Sequence, residues 1–228
     1  MILYKSEQRV LGRSDCLQIL SQAEKDHPDA FERARDHFVA FVDPAAYYKP
    51  YPTVAEINAV NSAFTEWVLF DFDFAQATAA ERAGEPLPEA PQTLVEAYAQ
   101  GDATVEELAR TQFFSTFWVI AQDPKRKLSV MRETRTCRDF EVSCDLISTR
   151  RNWTSGTVNA RIASVGGRWV SCGRCLSHDS APSEPQPACM TQTDPERESS
   201  RFIELVRELE GVNGRFVATA RAESFWPA

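Results

Sequence analysis

Apolar positions follow two rhythms along the 228 residues. Up to about residue 115 they recur every three or four positions. Ser14 or Asp15 can cap a short helix carrying Leu17, Ile19 and Leu20, and His27-Pro28 breaks it. Pro28 suits the first turn of a following helix, where a missing amide costs nothing. Phe31, Phe38 and Val42 lie on one face of that helix, and Asp43-Pro44 ends it. An aromatic, proline-rich connector follows, Tyr47-Tyr48-Lys49-Pro50-Tyr51-Pro52. Thr53-x-x-Glu56 is then a capping box, hydroxyl to amide and carboxylate back to amide. It opens a helix with a broad apolar face of Ile57, Val60, Phe64, Trp67 and Phe70. Gln76–Pro91 reads as a loop or frayed helix. Leu94, Val95 and Tyr98 give a short helix ending near Gly101. Thr104-x-x-Glu107 reads as a second capping box opening a helix to about Phe114.

Near residue 116 the period shortens to two. Phe117–Ala121 reads as a buried strand, Asp123–Arg126 as a turn, and Leu128 and Val130 as the returning strand. Further strands are expected over Asp139–Ile147, Thr157–Val165 and Arg168–Cys172. Gly166-Gly167 is a tight-hairpin signal, because both positions tolerate positive φ. Five short strands at this spacing point to a small barrel or curled sheet. Ser177–Thr193, rich in proline and serine, reads as a mobile loop. Asp194-Pro195 starts a late helix with Phe202, Ile203, Leu205, Val206 and Leu209 on its buried face, ended by Gly211. Arg215–Ala220 is a candidate closing strand.

These elements predict an α+β protein. A helical region, 1–115, packs on a small, mostly antiparallel β-sheet or barrel that, with the late C-terminal helix, fills 116–228. Both belong to one compact unit, and the Trp67 helix is expected to lie buried between them.

Composition narrows the class. At 43% apolar and 25% charged residues the chain is ordinary globular sequence, not disordered, collagenous or of low complexity. Runs such as Trp67–Phe70 fall far short of the ~20 residues of a membrane span. The first residues lack the basic and apolar segments of a signal peptide, so a cytoplasmic location and no membrane partner are expected. Cys16, Cys137, Cys144, Cys172, Cys175 and Cys189 are accordingly expected as reduced thiols.

The net charge of −8 is unevenly spread. Residues 1–115 carry −10, residues 116–178 carry +6 and the remainder −4. The basic segment either docks on its acidic neighbours or takes an anionic ligand. Within it, Arg138, Arg150, Arg151, Trp153 and Arg168 are the candidate binding residues, since a curled sheet with arginines and aromatic rings can hold a single strand of nucleic acid.

Other chemistry is sparse. Cys172-x-x-Cys175 with His178 and Cys189 offers zinc-type donors, but the spacing is irregular and a second C-x-x-C pair is missing. The redox reading of C-x-x-C needs a following helix, and a loop is expected instead. Glu66 and Asp71, five apart, diverge by about 140° if both are helical. They read as edge charges or as partners of arginines in the basic segment, rather than as a catalytic pair. Nucleophile-elbow, phosphate-loop, dinucleotide and metalloprotease motifs are absent from the sequence. No cofactor, metal or catalytic residue is therefore expected, and the enzyme question leans to no.

The run Phe64-Thr65-Glu66-Trp67-Val68-Leu69-Phe70-Asp71 carries a resemblance, continued by Gln92–Tyr98, Phe117–Ile120, Gly156–Ile162 and Gly167-Arg168-Trp169. This order is similar to a group of uncharacterised bacterial proteins with an F-x-E-W-x-L-F-D helix followed by a small β-barrel-like segment, some associated with SEC-C motif proteins. The resemblance spans about residues 57–172. It implies an α+β fold and a bacterial cytoplasmic origin, and no reaction. The cysteine-rich SEC-C signature itself is not present. The expected function is a non-catalytic binding or interaction protein acting on an unknown protein or anionic ligand. The alternatives are single-stranded nucleic-acid or RNA binding through the basic segment, and an enzyme of unknown class.

Overall fold

A computed structural model describes residues 13–81, 90–150, 156–178 and 195–212. The helical layer comprises α1 (Arg13–Asp26), α2 (Pro28–Val42), α3 (Val54–Phe70), α4 (Phe74–Ala79), α5 (Leu94–Ala97) and α6 (Ala103–Thr111). The strands are β1 (Phe113–Asp123), β2 (Leu128–Glu133), β3 (Asp139–Ser143), β4 (Thr157–Val165) and β5 (Arg168–His178). A short α7 (Asp145–Thr149) joins β3 to β4, and the late helix is α8 (Pro195–Glu210). The α+β expectation holds. The segments Arg151–Trp153, most of the 177–193 loop and the 215–220 strand lie outside the described residues, although β5 itself runs on to His178.

Local chemistry sets the element ends. Pro28 occupies the first turn of α2, and Asp43 ends it in the left-handed region at φ 50°. The Thr53–Glu56 capping box is formed as its sequence dictates. The Thr104–Glu107 box is not. Asp102 caps α6 instead, accepting from the amides of Thr104 and Val105. Glu107, released from capping, reaches the β4–β5 hairpin, where its carboxylate accepts from Ser164 Oγ at 2.7 Å and from the amides of Gly166 and Gly167. Those donors hold its carboxyl below the usual range, Ser164 contributing most. Both glycines of the hairpin adopt positive φ, as a tight turn requires.

The strands close in the order β1-β2-β3-β5-β4, with β1 pairing back onto β4. Every pairing is antiparallel except β3 with β5. The long β1 serves both sides of the barrel: its first half pairs with β4, its second with β2, and a bulge at Val119/Ala121 turns it. Ile147 of α7 enters the barrel core. A five-strand circuit in this order, with a helix between its third and fourth strands, has the connectivity of the OB-fold.

Two apolar cores result. Phe117, Val119, Met131, Phe140, Val142, Val158, Ala160 and Ile162 fill the barrel. A larger core lies between the helices and the outer surface of β1, β4 and β5, where Phe114, Ala163, Val165 and Val170 meet Phe70, Leu94, Leu108 and Phe202. Trp67 is buried there against Phe38 and Phe72. The positions on β4 are buried almost throughout, because it has barrel interior on one face and helices on the other. On β3, exposed and buried positions alternate.

Candidate functional site

The most concentrated chemistry sits where α3 meets β4 and β5. Arg161 projects outward from β4 and is buried to 2% exposure. Its Nε donates to Glu66 Oε1 at 3.0 Å, Nη2 to Asp71 Oδ2 at 2.6 Å and Nη1 to Gln112 Oε1 at 2.6 Å. The rings of Phe70, Phe202 and Phe114 surround the guanidinium at 5.0, 5.4 and 5.8 Å. Glu66 Oε2 takes the amide of Arg174 at 2.6 Å. Glu66 and Asp71 converge because the helix stops between them. Asp71 is the C-cap, at φ −128°, so the helical period no longer sets its direction. Burial pushes the Asp71 carboxyl up to about 6, against the pull of Arg161. For Arg161 burial acts downward, but Asp71 and Glu66 outweigh it and raise it further. The two carboxylates are thus partners of a basic-segment arginine, one of the two roles their sequence context allowed.

A second buried polar group lies inside the barrel. Glu133 accepts from Ser115 Oγ at 2.6 Å, from Arg135 Nε at 2.8 Å, and from the amide and hydroxyl of Thr136 at 2.7 Å each. Burial acts to raise its carboxyl, but these donors together outweigh it and hold it below the usual range.

The C-x-x-C is split. Ala160 pairs with Cys175 and Ile162 with Ser171, so β5 carries extra residues there and bulges toward α3. Gly173 lies so close to Glu66 that a Cβ at this position would overlap the carboxylate. Cys172 is packed against the helical core beside Arg161, and burial raises its thiol well above the ordinary value. Cys175 belongs to the barrel side, where its Sγ lies 3.8 Å from Cys144 Sγ and 3.3 Å from Ser171 Oγ. Cys144 is the N-cap of α7, and its thiol is lowered to about 6. The Cys175 thiol is the chief cause, helped by the amides of Ile147 and Leu146 and by Ser171, against burial. Cys175 moves the other way. Among the described residues no group of three or more His, Cys, Asp or Glu side chains gathers as metal ligands would. Cys189 lies outside them. Among the described residues the expectation of reduced thiols fails at Cys137. Cys137 is disulfide-bonded, while Cys16, Cys144, Cys172 and Cys175 are free.

Of the predicted binding residues, Arg151 and Trp153 lie outside the described residues. Arg138, Arg150 and Arg168 are exposed but sit on three different connections: the β2–β3 turn, the C-cap of α7 and the first residue of β5. Arg138 stacks over Phe140 at 5.0 Å. Around β2 and β3 three further cations are matched by acids: Arg132 with Asp139 at 2.6 Å, Lys127 with Asp145 at 2.8 Å and Arg126 with Glu141 at 3.7 Å. Trp118, Ile120 and Val130 supply apolar surface on the outer side of β1 and β2.

Exposed aromatic surface is concentrated elsewhere. Tyr47, Tyr48, Tyr51 and Val54 are 45%, 65%, 92% and 76% exposed. The prolines Pro50 and Pro52 flank Tyr51; nearby, Lys49 pairs with Glu56, and Tyr48 Oη donates to the Asp43 carboxylate at 2.7 Å. Tyr47 also borders a cavity of about 250 Å³ between α1, α2 and α3, lined by Leu20, Phe31, Phe38, Phe64 and the Arg35–Glu24 pair. The connector's tyrosines and prolines were visible in the sequence, but their exposure was not. No helix among the described residues is long and apolar enough to cross a membrane.

Comparison of the chain with protein-family models, with curated proteins and with solved structures finds no match.

Proposed function

We propose that the protein is a non-catalytic interaction protein that holds an apolar segment of a protein partner on the Tyr47–Val54 strip. The observation behind this reading is the clustering of exposed tyrosine and valine, with Tyr47 at the edge of a cavity of mixed polar and apolar lining. Tyrosine rings supply large contact area at small entropic cost, and contiguous exposed apolar surface marks interaction sites. Because Lys49 is matched by Glu56 and the other charge beside the strip is the Asp43 carboxylate, the strip suits an uncharged partner segment rather than a polyanion. The buried acids and arginines are turned toward one another, which gives them an architectural role. Kinship with the bacterial F-x-E-W-x-L-F-D group, and a cytoplasmic location, accompany this reading as proposals.

The test is selection of a random peptide library on the full chain, with the Tyr48→Ser/Tyr51→Ser double variant as counter-screen. The expected result is enrichment of uncharged peptides rich in proline or apolar residues, with binding lost in the variant. Peptides that bind both proteins equally, or no enrichment, overturn the proposal.

Single-stranded nucleic-acid binding is the second reading. The OB connectivity and the outward Trp118 favour it, although connectivity alone assigns no function. The acid-matched cations around β2 and β3 weigh against it. Quenching of tryptophan fluorescence by oligo(dT) at low salt, weakening as salt rises and unchanged in the tyrosine variant, would replace the first reading by the second.

A further inference from the structure

The barrel carries a two-thiol arrangement that the interaction reading leaves unused. From the 3.8 Å approach of Cys144 Sγ to Cys175 Sγ and the 3.3 Å approach of Ser171 Oγ to Cys175, we infer that Cys144 and Cys175 form a peroxide-reactive modification site that closes to a disulfide. The site is independent of the tyrosine strip, so either can fail without the other.

The sulfur–sulfur contact distinguishes the two thiols. Cys144 immediately precedes α7, and its thiol is lowered, chiefly by the Cys175 thiol beside it. That environment favours the thiolate, the form that attacks a peroxide. Cys175 keeps its proton and lies in van der Waals contact, where a resolving thiol must be. Both residues are half-buried, so a small peroxide fits the access better than a bulky disulfide reagent.

In the first step the Cys144 thiolate attacks one oxygen of hydrogen peroxide. The O–O bond breaks, hydroxide leaves, and Cys144 becomes a sulfenic acid. In the second the Cys175 sulfur attacks the Cys144 sulfur. The S–OH bond breaks, and the hydroxyl departs as water with the Cys175 proton. Hydrogen peroxide is reduced by two electrons and the two thiols are oxidised by two. The sulfurs must close from 3.8 Å to a bond of about 2.0 Å. The product ties the α7 N-cap to β5, across the seam between strands that share only two residue pairs, Val142 with Trp169 and Ser143 with Val170.

The C-x-x-C spacing conceals this pair. Cys172 and Cys175 are neighbours in sequence, but the β5 bulge places Cys172 on the helical side and Cys175 beside Cys144. Cys172 sits beside Arg161 in the helical core, with its thiol held in the protonated form, so it stays out of the reaction.

The test is peptide mapping of the full chain after a few equivalents of hydrogen peroxide, followed by catalase and alkylation under unfolding conditions. The expected product is a peptide pair joined through Cys144 and Cys175, two hydrogens lighter than the separate peptides and separated again by dithiothreitol. Cys16 and Cys172 should remain alkylated. Cys175→Ser should stop at a Cys144 sulfenic acid trapped by dimedone, and Cys144→Ser should leave Cys175 unoxidised. The wild-type map stands even if a variant fails to fold. Free alkylation of both cysteines after peroxide, over-oxidation of Cys144 without a bond to Cys175, or pairing of either with another cysteine would overturn the assignment.

Discussion

β3 and β4 belong to one barrel yet live in different solvents. On β3, residues alternate between barrel interior and water, and the neighbouring arginines of β2 and its turn pair with acids in the open. On β4 the outer face is covered by helices, and its arginine is sealed with Glu66 and Asp71 beneath three phenylalanine rings. The pairing chemistry is the same, but the consequences differ. An exposed pair is screened by water and contributes little. A buried one must be complete, because removing one partner strands a charge where water does not reach. The difference shows that the basic segment divides by burial into surface decoration and structural fastening.

The largest expected effect breaks the sealed side. Arg161→Met leaves Glu66 and Asp71 without their cation and should cost about 3–5 kcal/mol in urea unfolding. A loss below about 1 kcal/mol would place the arginine with the surface pairs.

Next comes the charge balance of the same cluster. The Asp71 carboxyl in the folded protein titrates near 6, above its ordinary 3.8. The folded state therefore keeps this proton where the unfolded chain has lost it. Its contribution is complete below about pH 4 and disappears as pH rises through 6. Asp71→Asn, neutral at every pH, should gain on the wild type by on the order of 2–3 kcal/mol between about pH 4 and pH 7. Unfolding measured at both pH values checks this, and a constant difference contradicts it.

Gly173→Ala is expected to follow. The added methyl meets the Glu66 carboxylate and displaces it from the Arg174 amide and Arg161, a cost of about 1–3 kcal/mol. The smallest effect belongs to the open side. Arg132→Ala removes the partner of an exposed Asp139 and should stay within about 1 kcal/mol, shrinking further in high salt.

Much of this contrast was legible in the chain. The Thr53–Glu56 box and the Gly166-Gly167 hairpin are local signals that formed where they were read, and the change of period came a few residues early, with α6 ending at Thr111 and β1 starting at Phe113. What escaped depended on contacts between distant segments. Parallel pairing of β3 with β5 leaves no local mark, so barrel closure could be stated only as one of two outcomes. Glu66 and Asp71 looked divergent because the helical period was carried one residue too far. Glu107 looked like a capping residue because Thr104 precedes it at the right spacing, yet the helix starts earlier, at Ala103, and Asp102 takes the Thr104 amide to which Glu107 would have reached back. Arg161 carries the interface, but in sequence it is one arginine among many. A signal was there nonetheless: it lies within an otherwise apolar and small-residue run, Val158-Asn159-Ala160-Arg161-Ile162-Ala163, that both the barrel and the helices bury.

The helical layer and the outer face of the barrel share one interior, fastened at Arg161. Fluorotryptophan labelling read by fluorine NMR through a urea titration tests this directly, because Trp67 reports the helices and Trp169 the barrel. The two signals should lose their native shifts at one common midpoint, as a cooperative unit requires. If Trp67 unfolds at a concentration where Trp169 is still native, the helices and the barrel are separate structures and the shared interior is refuted.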